Sequence, residues 1–196
     1  MVEQASEWKA AGKPVIVGEQ GNTGMNWDPL SGQRVRIRAW TALFQEISLV
    51  FWNTSWSKAG MHGGRYSAGR VANIYLGPEE RSYVRVLNDF SGRLDAGVRM
   101  VSVESSSPDS VRVYGLGSNV TAGVYLHHFN GHTSAVHRTK ITIDFPHSEK
   151  PTKKLFGEWI EPSTGRVLTR VRVLPGRQAL DVPPFTVDLA LLITSS

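Results

Sequence analysis

The sequence predicts an α/β segment followed by an all-β antiparallel sandwich, with the change near residue 96. Three observations predict it. Up to about residue 95, short β-branched runs alternate with stretches of helical period. From about residue 97 the apolar period becomes two. The later runs, about seven of them, are short and regularly spaced between Gly, Pro, Ser and Asn clusters, which is the layout of a sandwich.

The opening MVEQASEWKAAGKP reads as the last turns of a helix that stops at Gly12 before Pro14, with Val2, Ala5 and Trp8 on one face. Its early Glu3 and Glu7 and its lack of an apolar core argue against a secretory signal, and a start inside a helix reads as the continuation of something larger. Pro14-Val15-Ile16-Val17 then reads as a strand buried on both faces, ending at Glu19 directly before a Gly-rich turn. RVRIRAWTALFQE, residues 34–46, carries Ile37, Trp40, Ala42, Leu43 and Phe44 at near-helical spacing, and ISLVFWNTSWS, residues 47–57, is the next strand. Strand, helix and strand make one βαβ unit, so the two strands are expected to be parallel neighbours. After the loop AGMHGGRYSAG, a helix is expected to begin at Pro78, with Glu79 and Glu80 at its positive end and an apolar stripe of Tyr83, Val86, Leu87 and Phe90.

The alternating runs VRMVSVES, DSVRVYGLGS, TAGVYLHHFN, TKITIDFP, KKLFGEWIEP, GRVLTRVRVLPG and FTVDLALLIT supply the sandwich strands, and Pro162-Ser163-Thr164-Gly165 is a turn joining two of them. At 40% hydrophobic and 20% charged residues the chain has the composition of a folded protein. No apolar run approaches the ~18–20 residues of a membrane span, so no membrane partner is expected. There is no cysteine, which excludes thiolate chemistry and disulfides and leaves the compartment open. The net charge of +5 admits an acidic partner, but the charges are scattered. The densest group, Arg34, Arg36 and Arg38, lacks interleaved stacking aromatics and reads as a solvated helix face, so nucleic acid is not expected.

His127, His128, His132 and His137 cluster, and metal binding is the sharp reading. Adjacent histidines on a strand point to opposite faces, and no carboxylate stands nearby at ligand spacing, so exposed strand and loop histidines are expected and no metal. GGRYSAG lacks the Gly-Lys-Ser/Thr ending of a phosphate loop. No cofactor is expected.

The chemistry concentrates around Glu19. A strand end holds its last side chain rigidly while the following loop is free to vary, although a Glu there can also cap a turn or simply meet water. Aromatic Trp52 ends the second strand, with Trp56 just beyond and Trp27 in the loop after Glu19. Sugars stack apolar C–H faces on aromatic rings, and a glycosidic bond needs carboxyl groups beside the anomeric carbon, so Glu19 suits an attacking carboxylate. Packing is the alternative role for Trp52; Trp56, in polar NTSWSK, belongs to a surface or groove.

GKPVIVGEQG, RIRAWTALFQE, SLVFWNTSW and SYVRVLNDF resemble the seventh strand through the eighth helix of clan A glycoside hydrolases, (β/α)8 barrels of the cellulase and mannanase type. The resemblance covers roughly residues 1–95. It implies that residues 1–96 are the C-terminal portion of such a barrel, with Glu19 as nucleophile and Trp52 as the floor of a sugar subsite. It also implies that the loop after the last strand lines the cleft, with Tyr66 and His62 as substrate contacts. GEWIEPSTGRVLTRVRVLPG and PPFTVDLALLI resemble the small β-sandwich appended to such barrels and described as a collagen-binding domain, which implies a second domain over residues 97–196.

The general acid/base of that family is a Glu after an Asn, and no Asn-Glu pair occurs here. Of other carboxyls, Glu46 and Asp89 fall in helix patterns and only Asp28 has a suitable place. The implied protein is a C-terminal fragment of a retaining hydrolase of β-linked oligo- or polysaccharides, inactive alone, whose partner is the missing N-terminal barrel half. Full-length relatives are often secreted. The competing reading is a non-catalytic carbohydrate- or matrix-binding module in which the sandwich is the working part.

Overall fold

The computed structural model describes residues 2–20, 30–51, 78–145 and 155–195, without the side chains of Glu19, Gln20, Ser31 and Phe51. Helix α1 (Val2–Lys9) leads into β1 (Ile16–Gln20), α2 (Ser31–Phe44) and β2 (Ser48–Phe51). β1 and β2 are parallel, with Ile16 opposite Ser48, Val17 opposite Leu49 and Gln20 opposite Phe51. Such a pair needs a long crossover, and α2 supplies it. Its inner face closes a small core of Ala5, Val15, Ala42 and Ile47, with Val17 and Leu49 at its margin. The opposite face of the pair is open: Ile16 is 64% and Val50 51% exposed.

Helix α3 (Pro78–Ser91) starts with the expected proline and acidic turn. The rest is antiparallel: β3 (Arg99–Val101), β4 (Val103–Ser105), β5 (Val111–Gly117), β6 (Ala122–His128), β7 (Lys140–Phe145), β8 (Leu155–Ile160), β9 (Val167–Val173), β10 (Gly176–Asp181) and β11 (Asp188–Ser195). A six-stranded sheet runs β3-β5-β6-β11-β8-β9 and a three-stranded sheet β10-β7-β4. The run VRMVSVES, read as one strand, is two, because the chain crosses from one sheet to the other at Ser102. Val124, Leu126, Trp159, Leu189, Leu191 and Ile193 of the larger sheet meet Ile141, Ile143, Phe145 and Leu180 of the smaller one in the main core.

The larger sheet is buried on its other face as well. Trp40 and Phe44 of α2 and Phe90 of α3 pack on Leu116, Tyr125, Ile160, Ala190 and Leu192. Trp40 lies 4.8 Å from Phe90 and 5.4 Å from Tyr125, centre to centre. Burying side chains of this size stabilises by roughly 1.5–3 kcal/mol each. This is why β6 and β11 read as almost unbroken apolar runs: both of their faces are covered. Gly123 is required under the rings, since a Cβ there would lie 3.1 Å from Phe44 Cζ and 3.2 Å from Phe90 Cζ.

The first helices and the β-rich part are thus joined by a continuous apolar layer. The Pro162 to Gly165 segment does turn between antiparallel β8 and β9, with Gly165 at φ 76°.

Candidate functional site

The parallel register aligns Gln20 with Phe51, so β1 and β2 end side by side. The backbone of Glu19 therefore stands one residue from the end of β1, and the chain leaves β2 toward Trp52 at that same end. The side chain of Glu19 is not described, and Trp27, Asp28, Trp52, Trp56, His62 and Tyr66 lie outside the described residues. Of the other carboxyls, Asp89 is exposed on α3. Glu46 follows α2, where it accepts hydrogen bonds from Lys9 Nζ (3.2 Å) and the Met100 N–H (3.3 Å). It is a structural tie between α1, α2 and β3.

A second polar constellation went unread in the sequence. Arg112 on β5, His127 on β6 and Asp188 on β11 are directly opposite one another across three strands, so they share the sheet face that α2 covers. Arg36 descends from α2 onto Asp188 with Nε 3.0 Å from Oδ2 and a terminal nitrogen 2.9 Å from Oδ1. The Tyr125 hydroxyl donates to the same carboxylate at 3.1 Å. Above, the Arg36 guanidinium lies 4.7 Å from the centre of the Tyr83 ring.

Arg36 is therefore not part of a solvated face: it is 5% exposed, because α2 must turn the Gln33, Arg36, Trp40 and Phe44 side inward to cover the sheet. Burial pushes the Asp188 carboxyl above its ordinary value, against the pull of Arg36. Burial disfavours the Arg36 charge too, but Asp188 more than offsets this, and the net direction is upward. Desolvation beside Asp188 drives the Tyr125 hydroxyl well above its usual range, and burial with the Glu79 hydrogen bond pushes Tyr83 up to about 12.

The histidines also depart from expectation. His128 is buried, with Nδ1 3.2 Å from the Thr186 carbonyl, because its side of β6 faces the main core. His127 and His132 meet with Nε2 atoms 3.1 Å apart, and His132 Nδ1 lies 2.9 Å from Gln33 Nε2. Among the described residues, no group of three or more His, Asp or Glu is placed to hold a metal.

No family model matches the sequence, and no curated protein matches it. Solved structures do. Its fold is one found within glycoside hydrolases. A structure described only as a glycoside hydrolase matches with a TM-score of 0.60 at 13% identity, over 100% of this chain and 46% of its own. A family 5 glycoside hydrolase from Bacteroides vulgatus matches at 0.56 and 13% identity, over 98% of this chain and 44% of its own. A family 30 endoxylanase from Clostridium papyrosolvens gives 0.52 and 14% identity, over 100% and 46%. The chain thus spans less than half the length of these structures.

Proposed function

We propose that this chain is the C-terminal part of a retaining glycoside hydrolase acting on β-linked glycans, with residues 1–96 supplying the last strands and helices of a (β/α)8 barrel and residues 97–196 an appended β-sandwich. Glu19 is the nucleophile, and Trp27, Trp52, Trp56, His62 and Tyr66 contact the sugar. The observation that carries the reading is the parallel β1–β2 pair, whose coincident ends bring the Glu19 position and the approach to Trp52 to one side of the sheet. The match to glycoside hydrolase folds over nearly the whole chain supports it.

Retaining cleavage needs a nucleophile and an acid about 5–5.5 Å apart. The acid comes from the N-terminal barrel half, whose strands also cover Ile16 and Val50, because parallel sheets are buried on both faces. The isolated chain is therefore inactive on unactivated oligosaccharides. The test is a version extended upstream to a full barrel, assayed on β-linked polymers beginning with xylan. Turnover by the extended protein that Glu19→Gln abolishes, with substrate binding retained, supports the assignment. An extended enzyme indifferent to Glu19→Gln ends it, and robust oligosaccharide hydrolysis by the short chain requires an acid within it, Asp28 first.

A further inference from the structure

The segment of residues 129–137 crosses the end of the polar row as a strap. It is held at one end by the Phe129 N–H on the Ser110 carbonyl (3.1 Å) and at the other by the Val136 N–H on the Phe185 carbonyl (2.7 Å). Between these points, among the described residues, residues 131–135 are tied to the rest of the fold by hydrogen bonds through His132 alone, to His127 below and Gln33 of α2 beside it.

The geometry of the imidazole pair says what kind of tie this is. The ring centres are 5.4 Å apart and the facing nitrogens 3.1 Å. The difference is about the summed centre-to-nitrogen distances of two imidazoles, so centres and nitrogens lie nearly on one line. A metal held by both rings needs their lone pairs to converge at an angle. A line is instead the geometry of an N–H···N hydrogen bond, in which one ring donates and the other must keep a bare nitrogen.

We propose that His127, His132 and Gln33 form an acid-released latch, closed over the polar row while His127 is neutral and opened when both imidazoles carry a proton. With one proton added, an imidazolium still donates to its neutral partner, provided that the Gln33 amide turns its oxygen to the now protonated His132 Nδ1. With two, neither nitrogen can accept, and the contact becomes a like-charge repulsion. His127 decides the outcome because of what faces it: Arg112 from β5, His132 from the strap, Asp188 from β11 already held by Arg36 of α2, and His128 next in its own strand. Two arginines against one carboxylate leave the row net positive, which disfavours a second imidazolium. Burial first, then His132 and Arg112, push His127 from 6.5 down to about 4. A depressed imidazole stabilises the closed form fully above its unfolded value, and that stabilisation is lost as pH falls from 6.5 toward 4. Opening frees Gln33 in the first turn of α2, the next described element after β1.

The test needs no substrate and does not depend on the glycosidase reading. Imidazole NMR titration of the chain should find His127 changing protonation near pH 4. Amide hydrogen exchange at residues 131–135, corrected for intrinsic rates, should rise as pH falls from 6.5 toward 4. Exchange in β6 and β11 should not follow it. In His132→Asn, the His127 titration should move up and the pH dependence of the strap should weaken. An ordinary His127 titration near 6.5, or strap protection that is flat with pH in the unsubstituted protein, would overturn the latch.

Discussion

The Arg36–Asp188 pair allows a quantitative test of how the helices are fastened to the sheet. Its side chains are 6% and 3% exposed, so neither charge is hydrated. Arg36→Met removes both guanidinium contacts and leaves the carboxylate with the Tyr125 hydroxyl as its remaining described hydrogen-bond donor. Breaking a buried pair on one side costs about 3–5 kcal/mol, because the other charge stays buried without its partner. Replacing both, as in Arg36→Met with Asp188→Leu, removes the stranded charge and leaves mainly the Tyr125 hydroxyl unsatisfied, a loss of about 1–3 kcal/mol. Urea unfolding at pH 7 of the parent, Arg36→Met, Asp188→Leu and the double variant, followed by circular dichroism, gives the coupling directly. In Arg36→Met the Asp188 value rises further, so its penalty is present above that raised value and is relieved as pH falls through it. The single variant should therefore regain stability on mild acidification. A single variant costing less than about 1 kcal/mol, or a double variant costing the sum of the singles, would show that the pair is hydrated in solution and does not fasten the helix.

Gly123→Val places atoms against Phe44 and Phe90 where even a Cβ has only 3.1–3.2 Å, and should cost about 1–3 kcal/mol with upfield-shifted aromatic resonances disturbed. Trp40→Phe should cost well below the ~3–5 kcal/mol of truncation to Ala, because the Trp40 indole N–H has no partner among the described residues and its removal offsets part of the lost packing. Glu158 is held below its ordinary value chiefly by the Arg93 hydrogen bond, against some burial and with help from Arg170. Its contribution is present above pH 4.5 and lost as pH falls through the lowered value, so Glu158→Gln should flatten the acid limb of stability by less than about 1 kcal/mol. Residues 97–196 expressed alone should self-associate at micromolar concentration, as read by sedimentation, since Leu116, Tyr125, Ile160 and Leu192 lose their cover; a stable monomer would contradict the shared core.

The elements were legible in the sequence because each rests on local chemistry. Period three to four marked α2 and α3, Pro78 marked a start, and alternation marked β7 through β10. What failed was whatever depends on a second layer. Arg36 reads as solvated until α2 is known to lie between two sheets. His128 reads as exposed because alternation assigns its face only relative to a core not yet located. The polar row of Arg112, His127 and Asp188 joins residues 76 positions apart through two strand pairings, and no local pattern announces it. The Asp at the head of an apolar strand, FTVDLALLIT, was the available signal: a charge there needs a partner.

α2 explains why the parallel pair and the antiparallel sheets come as one piece. Its Ala42 side is small, which lets the β1–β2 pair approach closely, while its Trp40 and Phe44 side is bulky and reaches the flat floor made by Gly123 and Ala190. The Arg36–Asp188 bond sets the rotation of the helix between these two faces, because a turn of one residue would swing the guanidinium off the carboxylate and drive Trp40 away from the Gly123 floor. Register in the sheet thus fixes the orientation of the helix, and the helix fixes where the chain after Glu19 is picked up again at Leu30. If Glu19 is the nucleophile, the antiparallel sheets position it indirectly, by holding the helix that packs on its strand. Their role is then one of positioning, whether or not their outer surface binds anything.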